Sequence, residues 1–165
     1  MIALDISVEA PGWKAIPDLE DLCRQAVSAA LTEAGADVAA GDGVMLSLLF
    51  TDDTAIALLN RDWRDQDKPT NVLSFPAAPG INPLGPEPLG DIALAYETCA
   101  REAAAEGKTL AAHAAHLVVH GVLHCMGDDH EDDAQAEAME ARETAALARM
   151  GIADPYMERA TRRDD

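Results

Sequence analysis

Three histidines lie at a spacing that suits a metal ion. His120 and His124 are four residues apart, and His130 follows beyond Gly127. On an α-helix the first two lie one turn apart on one face, which is the spacing that two imidazoles need to bind one metal ion. Gly127 can adopt the left-handed conformation that ends a helix, so the chain can turn back and bring His130 over that face. Three nitrogen ligands with one vacant position describe a catalytic zinc site.

His113 and His116 are competing third ligands, because they fall on the same face of the same predicted helix. Geometry disfavours them. The Cα atoms of His116 and His124 are about 12 Å apart along the helix axis, whereas atoms that bind one zinc lie within roughly 4 Å of each other. We therefore expect His130 as the third ligand. His113 and His116 are interpreted as supporting or cleft-lining groups, with an ordinary imidazole as the stronger interpretation for His113.

The histidine spacing also matches a metalloprotease template, H-E-x-x-H-x-x-G-x-x-H, at every position but one. Gly121 stands where those proteases carry the glutamate that serves as general base. A glycine cannot accept a proton. The pattern therefore predicts the metal geometry without the peptidase chemistry.

Two other segments accompany the histidines: residues 59–76, with the sequence LNRDWRDQDKPTNVLSFP, and residues 89–92, LGDI. Together with the histidine motif they closely resemble the YbeY family, bacterial endoribonucleases that mature ribosomal RNA. The resemblance runs from about Val44 to Tyr156, whereas the first forty residues match in pattern only. Some members of the family carry an aspartate at Asn71 and a tyrosine at Asp128.

The resemblance implies a zinc-dependent, single-strand-specific endoribonuclease that processes small-subunit rRNA ends and contributes to ribosome maturation and quality control. It implies one Zn²⁺ per chain, and it assigns the metal ligands to His120, His124 and His130 and the functionally important arginine to Arg64. The implied partners are single-stranded rRNA, the small ribosomal subunit and ribosome-associated proteins.

The chemistry of phosphodiester cleavage gives these residues definite roles. A bound zinc lowers the pKa of water from about 15.7 to about 7, which yields a nucleophile without a strong side-chain base. Arg64 can hold two non-bridging phosphate oxygens in a fork. From the sequence alone, pairing of Arg64 with a neighbouring aspartate is the stronger interpretation, and the family resemblance reverses that balance. Arg61 and Lys68 are weaker candidates for phosphate contacts.

The general base stays open at this point. Asp128, Asp129 and Glu131 lie close to His130 in the sequence, and a carboxylate that orients an imidazole is expected there before one that takes a proton. The 2′-hydroxyl of the substrate is an alternative nucleophile, with zinc acting only as an electrophile.

A net charge of −18 is unusual for an RNA enzyme, because phosphate binding draws on basic surface. Positive potential must be local, from the metal and a few side chains such as Arg64 and Lys108. Aromatic residues make up 4% of the chain, so a broad platform for stacked bases is not expected. We expect weak affinity for naked RNA and dependence on a ribosomal context, although an acidic proteome would explain the charge equally well.

Hydrophobic periodicity predicts one α+β domain over residues 1–165, with a tail at 159–165 that frays. Helix Asp53–Trp63 should place Ile56, Leu59 and Trp63 inward. Pro76–Gly90 holds five of the nine prolines and is predicted as a loop at the substrate cleft or elsewhere on the surface. The other predicted helices are residues 17–35, 95–106, 110–126 and 133–150, and the predicted strands are residues 3–8, 44–50, 72–75 and 91–94.

The family resemblance makes the predicted four-stranded sheet mixed and the metal-binding helix zincin-like. The three cysteines are widely spaced and predict no disulfide framework. No secretion signal and no long apolar run is present, so a soluble cytoplasmic protein without membrane contact is expected. Two alternatives to the endoribonuclease stay open: a metal-dependent hydrolase of another substrate, and a non-catalytic ribosome-assembly factor with a structural metal.

Overall fold

The computed structural model describes residues 2–35, 43–77, 87–128 and 131–156. The predicted tail at 159–165, most of the proline-rich segment and His130 lie outside these ranges. Within them, no helix is long and apolar enough to cross a bilayer.

The described residues form one mixed sheet of four strands, β1 (Ile2–Val8), β2 (Val44–Thr51), β3 (Val72–Pro76) and β4 (Glu87–Ala95). The strand order in the sheet is β1-β2-β4-β3. Strands β1, β2 and β4 are parallel, and β3 runs antiparallel to β4 at the edge. The helices are a 3₁₀ helix (Pro11–Ala15), α1 (Leu19–Glu33), α2 (Asp53–Arg64), α3 (Tyr96–Glu106), α4 (Leu110–Cys125) and α5 (Asp133–Arg149). The predicted α+β class and mixed sheet are confirmed.

The two faces of the sheet are covered to different extents. Successive side chains of a strand point to opposite faces, so the residues of each strand are divided between two separate clusters. On the inner face, the buried side chains of β2 and β4 pack with α1, α4 and α5 into the main core. On the outer face, Ile56 of α2 packs with Leu73, Ala93 and Ala95 in a much smaller cluster. The inner core is therefore what fixes the position of α4, the helix that carries the histidines.

The prediction that Trp63 points inward is wrong. Its residue is 70% exposed, although Ile56 on the same helix is fully buried. The indole makes an edge contact with Phe75, at 6.1 Å between ring centroids. Trp63 lies on the side of α2 that faces the sheet, but the polar Ser47 and Asp91 are among the sheet residues beside it, and the indole stays exposed at the edge of a cavity.

The predicted loop Pro76–Gly90 is too long, because β3 extends to Pro76 and β4 already begins at Glu87. Pro88 lies where the pairing of β2 with β4 shifts by one residue, and irregularities of this kind are places where a strand tolerates proline. At Gly90, which has a φ of +147°, an added Cβ would lie 2.3 Å from the backbone oxygen of Phe75. Only glycine fits this close approach of β3 and β4.

Helix α4 begins and ends as its sequence indicates. The Thr109 side chain accepts a hydrogen bond from the Ala112 amide, which is a standard N-terminal cap. At the other end Gly127 has a φ of +102°, and the Asp128 amide donates to the Leu123 carbonyl at 2.9 Å. This bond pattern is a Schellman motif, so the predicted glycine turn after His124 is confirmed.

Gly121 allows α4 to lie directly on β4. A Cβ at this position would approach Ile92 Cδ1 to 2.8 Å, which is too close for two carbon atoms. The position that carries a glutamate in the metalloprotease template therefore faces the sheet here. A carboxylate side chain would have to displace Ile92.

Candidate metal centre

Helix α4 brings two of the three proposed metal ligands together. The rings of His120 and His124 lie 4.6 Å apart between centroids, at an interplanar angle of 77°. His130, the proposed third ligand, falls outside the described residues. Among the residues that are described, no three His, Cys, Asp or Glu side chains are arranged to hold a metal ion. The observed geometry is thus an imidazole pair on one helix face.

A buried carboxylate on α5 orients one member of this pair, His120. The Oε1 atom of Glu143 lies 3.0 Å from Nδ1 of His120 and 2.8 Å from Nε2 of His116. The Glu143 side chain is only 1% exposed, and its Oε2 accepts a hydrogen bond from the Tyr156 hydroxyl at 2.9 Å. When Nδ1 of His120 donates to the carboxylate, the lone pair of that ring resides on Nε2, the form in which an imidazole binds a metal.

Glu143 is negatively charged at neutral pH. Burial alone would raise the pKa of this carboxyl, but the hydrogen bonds from His116 and His120 outweigh it and lower the pKa to about 2. A carboxylate behind an imidazole makes that imidazole a better metal ligand and fixes its orientation. The imidazole pair and the carboxylate behind His120 therefore have the ligand chemistry of a divalent cation, although the described residues supply only two of the three proposed ligands.

The sequence analysis did not identify Glu143, which lies more than ten residues beyond His130. Of the carboxylates proposed instead, Asp128 accepts a hydrogen bond from Arg142, and Glu131 is exposed. The sequence does contain a pattern that indicates a buried partner for Glu143. Glu143 interrupts the apolar face of α5 formed by Met139, Ala146 and Leu147, and a carboxylate at such a position must have a buried partner.

The other two histidines of α4 are also paired with carboxylates. His116 contacts the same Oε1 atom of Glu143 as His120 does, so it lies beside the proposed metal site. His113 is buried, with Nε2 at 2.9 Å from Oε1 of Glu102 on α3. His113 is therefore part of a separate contact between α3 and α4.

Arg64 ends α2 and reaches the edge strand β3. Its guanidinium donates to the Ser74 carbonyl at 2.6 Å, and its Cζ lies 5.6 Å from the centre of the Phe75 ring. Within the described ranges it has no acidic partner, whereas Arg61 pairs with Asp62 at 3.2 Å. The alternative of an arginine neutralised by its aspartate neighbours is not what the structure shows. Since β3 packs against α4, Arg64 contacts a strand that is adjacent to the histidine helix.

The remaining residues considered from the sequence are Lys108 and the three cysteines. Lys108 lies 3.5 Å from Glu106 and 3.4 Å from the Pro155 carbonyl, so its charge is partly neutralised. All three cysteines are free, as predicted. Burial, with a smaller effect of Asp91, raises the pKa of the Cys125 thiol to about 11. Cys125 thus stays a protonated thiol, packed against the core.

Comparison with known proteins finds the same family through a family model and through individual relatives. The family model described as endoribonuclease YbeY matches residues 13–151. An endoribonuclease YbeY of Azorhizobium caulinodans is 54% identical over 153 residues, which cover 93% of this chain and 95% of that protein. One from Erythrobacter litoralis is 62% identical over 120 residues, covering 68% and 74%.

A solved structure shares the fold. The solution structure of TM1509 from Thermotoga maritima aligns with a TM-score of 0.54 and covers 90% of each chain. At 24% sequence identity this likeness concerns the fold alone.

Proposed function

Because this chain belongs to the endoribonuclease YbeY family and is an endoribonuclease, we propose that it cuts single-stranded RNA at a zinc site formed by His120, His124 and His130. Arg64 holds the scissile phosphate. The observation that carries the proposal is the pairing of His120 and His124 on α4, with His120 oriented by the buried Glu143 carboxylate. The proposal treats α4 as a zincin-like helix within a single domain.

A divalent ion with an open coordination position would supply Lewis acidity and a lowered pKa of water at this site. The protein's own contribution is orientation and charge. Glu143 holds His120 and binds His116 through the same oxygen, and Gly127 ends α4 directly after the turn that carries His124. The guanidinium of Arg64 offers donors to the oxygens on which charge builds up as the phosphodiester is cut.

We propose small-subunit rRNA as the substrate and ribosome maturation and quality control as the cellular role, within the cytoplasm. The net charge of −18 supports a need for ribosomal context, because an acidic surface repels RNA that is not presented to the site. Acidic repulsion also limits cleavage of unrelated RNA. The Arg64 guanidinium is the positive group positioned to offset it locally.

The test is metal-dependent cleavage. We expect protein purified without added metal to contain one zinc per chain and to cut single-stranded rRNA fragments but not the same fragments in duplex form. EDTA should abolish cleavage, and zinc should restore it. Intact RNA under all conditions, combined with metal-dependent binding to ribosomal particles, would instead favour the assembly factor. Cleavage that survives complete metal removal would exclude the proposed site.

A second prediction concerns Glu143. Replacing it with glutamine keeps the size but removes the charge and one acceptor oxygen, so we expect metal affinity to fall about 10–100-fold. Competition with a chromophoric chelator measures the affinity. Glu137→Gln is the matched control, because Glu137 is exposed on the same helix. Equal affinities in the two variants, with the fold intact by circular dichroism, would show that Glu143 does not support the metal.

A further inference from the structure

The outer face of the sheet carries a row of three polar side chains and one aromatic side chain, which no helix of the described residues covers. Asp5 of β1 pairs with Ser47 of β2, Ser47 pairs with Asp91 of β4, and Asp91 pairs with Phe75 of β3. These four residues cross the whole sheet in a single line. The inner core and the proposed metal centre use none of them.

The next row on the same face is mostly apolar and partly covered. Ser7, Leu49 and Ala93 follow the first row by two residues in their strands, and α2 packs over Leu49 and Ala93. Leu59 and Trp63 of α2 form a wall beside the uncovered part. Between this wall and the sheet lies a cavity of about 370 Å³, which we call the outer-face cavity. Its size is at the lower end of cavities that hold small ligands, about 300–1,000 Å³.

The residues that line the outer-face cavity indicate the charge and the shape of the ligand that fits it. The floor and wall are aliphatic and aromatic, and the ionisable groups are the carboxylates of Asp5 and Asp91. Carboxylates accept hydrogen bonds and repel phosphate, so a nucleic-acid backbone cannot lie there. A flat uncharged ring with N–H groups on its edge suits both features. The exposed indole of Trp63 offers it a stacking face.

Phe75 connects this cavity to the proposed phosphate contact. Its ring lines the outer-face cavity, and the Arg64 guanidinium lies over it at 5.6 Å from the ring centre. The Arg64 guanidinium thus lies at the border of a cavity that contains two carboxylates. A nucleotide can place its phosphate against the arginine and its base in the cavity. We propose that the outer-face cavity binds one unpaired nucleobase, preferably guanine, of the RNA strand whose phosphate is held by Arg64. This inference rests on the proposed function.

Guanine is favoured because its two neighbouring hydrogen-bond donors match the two carboxylate oxygens of Asp91. The Watson–Crick edge of guanine presents two parallel donors, N1–H and the exocyclic amino group, and one carboxylate can accept both. Adenine and cytosine present one amino donor beside a ring nitrogen that repels the second carboxylate oxygen. Uracil presents one N–H between two carbonyls. A single stacked base is also compatible with a chain that has few aromatic residues.

The test is binding of labelled hexanucleotides to the full chain, measured by fluorescence anisotropy. Each strand is uridine except for one central guanosine, adenosine, cytidine or uridine, and 2′-O-methyl groups block attack by the 2′-hydroxyl. Gel analysis confirms that the strands stay intact. We expect the guanosine strand to bind most tightly. Trp63→Ala should weaken that binding about fivefold to a hundredfold, the range found for loss of one stacking aromatic side chain.

Two control variants separate recognition from general effects. Leu58 is also exposed on α2 but does not line the cavity, so Leu58→Ala should leave binding unchanged. Asp91→Asn and Asp62→Asn remove the same charge. If only long-range electrostatics matters, both should strengthen binding of all four strands alike. The proposal instead expects Asp91→Asn alone to remove the preference for guanine.

The outcomes for the cavity and for the proposed function can be told apart. Metal-dependent cleavage together with equal binding of all four strands, unaffected by Trp63→Ala, would overturn the base site and leave the zinc nuclease standing. The same result would follow if the cavity holds a side chain of a protein partner. Guanine-selective binding that depends on Trp63 and Asp91 would support the base site even if no preparation cuts RNA, in which case the proposed function would fail.

Discussion

Replacing His124 with alanine is expected to abolish RNA cleavage and to release the metal ion. His124 lies in the last turn of α4, beside His120, and the two rings are 4.6 Å apart between centroids. Losing one of the three proposed nitrogen ligands would leave too few protein donors for a catalytic zinc site. The rate should therefore fall by more than the 10²–10³-fold that loss of one electrostatic contact costs. Metal content by mass spectrometry and cleavage of single-stranded rRNA fragments are the two measurements.

The matched control is His113→Gln, on the same helix. His113 contacts Glu102 on α3 and is not part of the imidazole pair, so this variant should keep one metal per chain. Circular dichroism establishes that both variants are folded. A His124→Ala protein that retains stoichiometric zinc and full activity would contradict the proposed ligand set. Loss of metal from His113→Gln alone would point to the competing ligand considered from the sequence.

Replacing Arg64 with alanine is expected to reduce the turnover number about 10²–10³-fold while metal content stays at the wild-type level. The guanidinium ends α2 at the edge of β3 and has no acidic partner in the described part of the chain. Its charge is therefore available to a phosphate. Arg64→Lys should recover only part of the rate, because an ammonium group cannot form the two parallel hydrogen bonds of a guanidinium.

Arg24→Ala serves as the control for loss of one positive charge. Arg24 lies on α1 and pairs with Glu20 at 3.3 Å. We expect cleavage by this variant at the wild-type rate. If Arg64→Ala cuts RNA at full speed, the phosphate contact is wrong. If both variants lose activity equally, the effect of Arg64 is one of overall charge and not of a specific contact.

Much of the fold was predictable because its signals are local. Helix α4 has an N-cap at Thr109, an apolar stripe and a glycine after its last turn, and the structure places its ends within one residue of the prediction. The strand Val44–Thr51 was predictable as an apolar run in the centre of the sheet. The pairing of His120 with His124 follows from helix periodicity alone.

The features that escaped prediction depend on contacts between distant segments. Nothing near Glu143 in the sequence shows that its carboxylate meets His116 and His120, more than twenty residues away. The exposure of Trp63 likewise depends on which strand residues face it, and these come from three separate segments. Periodicity indicates which face of a helix is apolar, but it does not say how far the sheet beneath extends.

The contact of Tyr156 and Glu143 with the histidine helix also has a consequence for biosynthesis. Translation proceeds from the N-terminus, so the carboxylate that orients His120 emerges after the histidines themselves, and the tyrosine that supports it emerges later still. A nascent chain that ends after α4 therefore lacks both the carboxylate that contacts His120 and the hydroxyl that contacts this carboxylate. We therefore expect the proposed metal centre to be completed only after α5 and Tyr156 have been synthesised.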